Sequence, residues 1–395
     1  MPDVLPPLRL TGAALMIDGA LRPEALGLGE GRISEASGQP EIDLSGYWLL
    51  PGIVDLHGDS FERQLFPRPR ADFPLNSALE AVSREAAAHG VTTAYLAQGW
   101  SWEGGIRTPE AALRLMEGVQ VLRGATAVDL RVQIRAETHL VAEVPQLIAA
   151  VERFGIDFVV FNDHLDEGVQ MRRRDRDGFA LWARKAGMSG NEMSARLDAA
   201  LARAREVPRA LYDLAEAFDR LGVRYGSHDD ADGETREFYR VLGARIAEFP
   251  VSRRAAAAAR AAGDPVLLGA PNVVRGGSQA GNIAAEALIR EGLCDALVSD
   301  YHLPALALAV WALVDRGAMP FAKAWAMVSC APARILGLSD RGKLEVGRRA
   351  DLVVMNPETR AIEAVIAGGR LAHLSGGAAL RFLRLPQGAL RLAAE

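Results

Sequence analysis

The sequence predicts an α/β protein: a (β/α)8 TIM-like barrel with a small β-sandwich domain formed by both chain termini. Three observations predict it. Through the middle of the chain, eight short apolar runs alternate with helical patterns, as in a parallel sheet wrapped by helices. Both ends are instead strand-rich and punctuated by glycine, in LRLTGAALMIDGALRPEALGLGEGRISEASG and GKLEVGRRADLVVMNPETRAIEAVIAGGRLAH. No GxGxxG opens a helix after the first strand, which removes the main signal for an open doubly wound sheet. The expected limits are 1–52 and 336–395 for the two parts of the small β domain, and 53–335 for the barrel.

The expected barrel strands, in order, are IVDLH (53–57), VTTAYLA (91–97), LRVQIRAE (130–137), DFVVFND (157–163), VRYGS (223–227), ARIAEF (244–249), PVLLGA (265–270) and DALVSD (295–300). Helical patterns at Ser77–Ala88, Pro109–Leu122 and Gln279–Glu291 separate some of them, and the alanine-rich stretch Ala255–Ala262 reads as another helix. One connection is long. Residues 165–222 link the fourth and fifth strands and carry the run MRRRDRDGF, which reads as a solvated helical insertion or as a substrate-contacting excursion on the catalytic face.

Composition narrows the class. The 395 residues are 49% hydrophobic and 24% charged, ordinary for a globular chain and too apolar for a disordered one. Lys and Arg number 45 against 50 Asp and Glu, a net charge of −5 that argues against a nucleic-acid coat or a polybasic membrane anchor. No signal-peptide pattern opens the chain, and no apolar run is long enough to span a membrane. The two cysteines, Cys294 and Cys330, cannot build a disulfide framework or a Cys-rich zinc module, so the expected setting is a reducing cytoplasm. Homo-oligomerisation is left open.

Catalytic groups of a barrel sit at the C-terminal ends of its strands. The first predicted strand ends in His57-Gly58-Asp59, the third in Glu137, the fourth in Asp163-His164, the fifth in Ser227-His228 and the eighth in Ser299-Asp300. Three of the seven histidines, with the carboxylates Asp59, Glu137 and Asp300, thus fall at one end of one barrel. So many ionisable groups are costly to bury unless they pair or bind a cation. His57 and Asp59, two apart at a strand end, share one side and can chelate one ion. Glu137 can bridge two ions, His164 and His228 can complete the second, and Asp300 can ligate the first and take a proton from water. Imidazole and carboxylate donors suit one or two divalent transition-metal ions, zinc, manganese or iron, in a metal-assisted hydrolase.

Several segments then carry a resemblance. YWLLPGIVDLHGD and HGVTTAYLA resemble the first two strand motifs of the amidohydrolase superfamily, and GKLEVGRRADLVVMN resembles its closing β segment. FPRPRADFP, SHDDA, AEFP, GAPNVVRGGSQAGN and SDYHLPAL, in that order, look like the diphosphatase branch that acts on α-D-ribose 1-methylphosphonate 5-triphosphate in the carbon–phosphorus lyase pathway. The resemblance implies metal ligands at His57, Asp59, Glu137, His164, His228 and Asp300. Most of the superfamily carries HxH and a carbamylated lysine; HxD with Glu137 is in keeping with the diphosphatase branch. His164 and His228 fall on the fourth and fifth predicted strands, where the superfamily usually supplies its pair from the fifth and sixth. The implied activity is hydrolysis of a phosphoanhydride, releasing pyrophosphate and leaving a 5-phosphate. Cleavage of a cyclic amide or N-acyl C–N bond is the alternative within the fold, and a catalytically silent binding barrel the alternative outside it.

The expected partner is a small anionic phosphorylated molecule. Asn272, Arg275, Gly276, Gly277 and Ser278 follow the seventh strand, where barrels often hold phosphate. There Arg275 would supply a forked donor and Ser278 would N-cap the next helix. Arg68 and Arg70 on the first loop, and His302 beyond Asp300, are further candidates for substrate contact.

Overall fold

The computed structural model describes residues 4–68, 71–279 and 281–384. Eight parallel strands lie side by side in chain order: Ile53–Gly58, Val91–Trp100, Asp129–Glu137, Phe158–Asn162, Arg224–His228, Ile246–Glu248, Val266–Gly269 and Ala296–Val298. All eight expected strands are present. ARIAEF is the sixth, so His164 does follow the fourth strand and His228 does end the fifth.

The sheet closes on itself between its first and last strands. Asp300 N–H donates to the His57 carbonyl (2.9 Å) and Asp59 N–H to the Asp300 carbonyl (3.0 Å). One turn below, the buried Asp55 carboxylate accepts Ser299 N–H (2.9 Å) and Ser299 Oγ–H (2.6 Å). The seam therefore runs directly beneath two of the candidate ligands.

The helices obey local rules. Pro109–Leu122 starts where expected: Thr108 Oγ1 accepts Ala111 N–H (3.2 Å), proline occupies the first turn, and Ala112, Leu115, Met116, Val119 and Leu122 form the buried stripe. The helix expected at Gln279–Glu291 forms only over Ala285–Arg290. A separate short helix, Ala270–Arg275, precedes it and is stopped by Gly276 at φ +77°, a left-handed C-cap suited to glycine.

The termini build two further sheets. One contains Leu8–Thr11, Leu26–Gly29, Arg32–Ser34 and Glu41–Asp43. The other joins both ends of the chain, with Trp48–Pro51 antiparallel to Leu352–Met355. Leu10, Leu15, Leu28, Ile42, Leu49, Leu352 and Ile366 are buried together among these strands. The long connection contains the helices Leu165–Arg174, Arg176–Lys185, Gly190–Ala202 and Val207–Leu221. The first three share a satellite core with Trp102 from the second strand's loop.

Behind the fifth strand, Arg236 is wholly buried. Its guanidinium donates to Ser227 Oγ (2.6 Å) and to the carbonyls of Ile246 (3.1 Å) and Ala244, and lies 3.5 Å from both Asp230 and Asp264. It thus ties the fifth and sixth strands where they carry the site. Arg236→Met should destabilise the fold by about 3–5 kcal/mol, because it strands a buried carboxylate. Denaturant unfolding measures this, and a change below about 1 kcal/mol would contradict that role.

Candidate active site

Three non-glycine residues at the strand ends hold left-handed backbone: Asp229 (φ +58°), Phe249 (+52°) and Asp300 (+53°). Such conformations are uncommon for these residue types and turn the chain sharply off the sheet. They leave His228 and Glu248 as the last inward positions of their strands and turn Asp300 toward the same cavity. Phe249 then lays its ring edge-on against both His57 and His228, at centroid distances of 5.0 and 5.2 Å.

His57, His228 and Glu248 form one cluster. Glu248 Oε2 lies 2.7 Å from His228 Nδ1 and 3.0 Å from His57 Nδ1, and Gln133 Nε2 donates to Glu248 Oε1 (2.7 Å). The two imidazoles stack at 5.4 Å. Burial would raise the Glu248 carboxyl, but the flanking histidines hold it well below the usual range. His57 Nδ1 is buried and makes no well-directed hydrogen bond despite its distance to Glu248. Burial pulls His228 down, toward the neutral imidazole that a metal requires.

Glu103, Glu137 and His164 form the second. His164 Nδ1 lies 2.8 Å from Glu137 Oε1 and 2.9 Å from Glu103 Oε1. Asn162 Nδ2 donates to Glu137 Oε1, and the His164 N–H donates to Glu137 Oε2 (3.2 Å). Arg107 Nη1 and Trp182 Nε1 both donate to Glu103 Oε2, at 2.9 and 3.2 Å. Burial works against a charged His164, yet the two carboxylates outweigh it and push the imidazole up to about 10. The pair of carboxylates therefore demands positive charge at that point. Both clusters offer three N/O donors within 4.8 Å of one another, a set that fits a divalent ion.

The grouping differs from the sequence expectation. His228 joins His57 rather than His164, and Glu137 sits with His164. Asp300 faces His57 and His228 across a cavity of about 270 Å³ that Arg135, Asn272, Gly277 and Ser278 also line. Burial, together with Asp59 and Asp229, pushes the Asp300 carboxyl up to about 6 against the pull of His57 and Arg135. Asp59 follows the first strand and its N–H helps close the seam; its carboxylate belongs to neither cluster.

The expected anion loop is partly corrected. Arg275 ends the helix Ala270–Arg275 and is exposed, and neither it nor Gly276 lines the cavity. Ser278 lines it but does not cap the following helix: that helix has Ala284 as its N-cap residue, and Asn272 Oδ1 takes the Ala285 N–H (2.9 Å). The physical reason is that the Gly276-Gly277 turn ends one helix before the next begins nine residues later. Arg68 and His302 are exposed and touch neither cluster. Arg70 lies outside the described residues.

Three residues escaped the sequence reading. Glu248 ends the sixth strand, by the very rule that found the others. Arg135 shares the inward face of the third strand with Gln133 and Glu137, two residues either side. Glu103 had no such signal, since it lies in the loop beyond Trp100. A second cavity, about 490 Å³, adjoins this cluster and is lined by Glu62, Glu103, Arg107, His164, Trp182 and Lys185. The long connection thus reaches the site through Trp182.

Comparison with known proteins gives the family. The α-D-ribose 1-methylphosphonate 5-triphosphate diphosphatase of Escherichia coli (strain K12) is 33% identical over 352 residues, covering 87% of this chain and 91% of that protein. Residues 198–372 match the amidohydrolase family. The chain belongs to the amidohydrolase family. Among solved structures, molinate hydrolase superposes with a TM-score of 0.64 at 15% identity, covering 93% of this chain and 95% of that one. Dihydropyrimidinase from Brevibacillus agri gives 0.61 at 12% identity, covering 94% and 97%. These two share the fold along nearly the whole chain.

In this amidohydrolase, Glu248→Gln should weaken metal retention roughly 10–100-fold, since it removes the negative charge that sits against both imidazoles. His228→Ala should lower metal content at least as far. Elemental analysis after dialysis against a metal buffer reads both, and undiminished metal in both variants would remove this cluster from the centre.

Proposed function

We propose that this chain is a metal-dependent hydrolase that cleaves the triphosphate arm of α-D-ribose 1-methylphosphonate 5-triphosphate, giving the 5-phosphate and pyrophosphate. The observation that carries the reading is a pair of cation-demanding clusters at the mouth of a chain that matches a diphosphatase along 87% of its length. His57, His228 and Glu248 would hold one ion, and Glu103, Glu137 and His164 a second. Their nitrogen and oxygen donors suit zinc, manganese or iron(II). Bound there, the metals would supply Lewis acidity toward water and phosphoryl oxygen.

The protein's own groups account for the rest. Water supplies the oxygen that bonds to phosphorus, the P–O anhydride bond breaks, and pyrophosphate leaves with the electron pair. Asp300, half-buried and facing the cavity, accepts the water proton. Its carboxyl lies near 6, so it is mostly ionised and a competent base close to neutral pH. Arg135 lines the same cavity and offers guanidinium donors to phosphate oxygens. The reading includes a cytoplasmic setting, in keeping with unpaired Cys294 and Cys330. No helix among the described residues is long and apolar enough to cross a membrane.

Product analysis tests the reading. Triphosphoribosyl phosphonate should release pyrophosphate, and the 5-monophosphate should not turn over, because it has no anhydride to break. Asp300→Asn should lower the rate roughly 10²–10⁴-fold while substrate still binds. Hydrolysis of a cyclic or N-acyl amide with no pyrophosphate release would transfer the chain to C–N chemistry.

A further inference from the structure

Arg135 lines the cavity beside His57 and His228 and belongs to neither set of donors. Its Nη2 lies 3.0 Å from His228 Nε2. A guanidinium has donors only, so this hydrogen bond requires His228 Nε2 to accept. Nδ1 of the same ring, 2.7 Å from Glu248 Oε2, then carries the proton and donates. The neutral imidazole has one lone pair, and Arg135 holds it.

A metal on His228 is incompatible with that bond in either orientation. On Nε2, the ion takes the lone pair that Arg135 uses. On Nδ1, it displaces the proton to Nε2, which then faces the arginine donor with a donor of its own and has only the Asp229 carboxylate, 3.5 Å away, to turn to. The remaining guanidinium atoms have unused capacity: Arg135 Nε is buried without a hydrogen-bond partner. Arg135 also lines the cavity that His57, His228 and Asp300 share.

We propose that Arg135 and a metal ion compete for the single lone pair of His228, and that the ion, on binding, releases the guanidinium to the phosphate oxygens of an anionic ligand. Metal loading would then create the anion site, so the two bind in a fixed order. The second half rests on the diphosphatase reading; the first half does not.

The test uses metal-stripped full-length protein titrated with Zn²⁺ alone by calorimetry, following the binding event that His228→Ala abolishes. Arg135→Met, neutral and without a donor, should bind about ten-fold tighter than wild type. Arg135→Gln, equally neutral but able to donate, should fall between them. Equal affinity of the two variants would mean charge repulsion alone and overturn the competition, as would unchanged affinity in both. Nitrogen NMR of the metal-stripped wild type reads the same point without substitution: His228 should be protonated on Nδ1, and an Nε2–H ring would overturn the proposal. In a second arm, inorganic pyrophosphate should bind the Zn²⁺-loaded wild type about ten-fold more tightly than Zn²⁺-loaded Arg135→Met. Equal binding would overturn the release to phosphate. Failure of the diphosphatase reading is separate, since it shows as no pyrophosphate formed by wild type whatever the calorimetry gives.

Discussion

A carboxylate with no exposed surface has to be neutralised where it sits, and Glu248 is such a group. Moving an ionised carboxylate into the interior costs several kcal/mol even after relaxation (about that scale for each ion). Glu248 meets the cost by meeting three partners at once: Gln133 on one oxygen, His57 and His228 on the other. Those partners come from the third, first and fifth strands. One charge on the sixth strand therefore fixes the rotation of four strand ends. Because His57 also offers its carbonyl to Asp300 N–H, the same cluster reaches the barrel seam and the last strand.

The strained backbone beside these groups follows from the same demand. Left-handed geometry costs about 1–2 kcal/mol for a residue with a side chain. Asp229, Phe249 and Asp300 each hold it while donating a backbone N–H to a neighbouring strand: to Glu248 O, Leu267 O and His57 O, all at 2.9 Å. The parallel ladder thus continues one step past each strand, and the side chain just before or at the turn is delivered inward. Glycine would relieve the strain, but at 300 it would remove the carboxylate and at 249 the ring that seals the histidines from solvent.

Much of this was legible in the sequence. Alternating apolar runs located all eight strands, and the polar residues at their ends located His57, Glu137, His164, His228 and Asp300 on the mouth. What failed was pairing. Chain order suggested that His164 and His228, on adjacent strands, share an ion, whereas the geometry sets His228 against His57 across the barrel axis. Strand-end patterns give the height of a residue in a barrel but not its direction across it. Arg275 was drawn to the site by glycines whose work is to stop a helix, while Arg135, inside an otherwise regular strand, is the arginine that lines the cavity. Glu103 enters from a loop, where neither period nor spacing marks it.

The two ends of the barrel show why a cavity alone would not have identified the site. At the opposite end, a cavity of about 460 Å³, close in size to the 490 Å³ space beside Glu103 and larger than the 270 Å³ space beside His57, is lined by Asp129, Arg131, Asp157, Arg341 and Arg349. There Asp129 is saturated: Arg131 lies at 3.1 Å, Arg341 at 2.7 Å and Arg349 at 3.7 Å. Arg341 and Arg349 come from the chain segment that leads into the C-terminal strands, so these pairs fasten it to the barrel floor. At the mouth the balance is reversed. Glu103 and Glu137 crowd one imidazole, and Glu248 leans on two, so carboxylates outnumber the fixed cations that touch them. An anion already surrounded by arginines has no need of a further ligand. A group of carboxylates that must recruit a proton or an ion does, and it is this deficit, more than the concavity, that assigns chemistry to one end of the barrel and cohesion to the other.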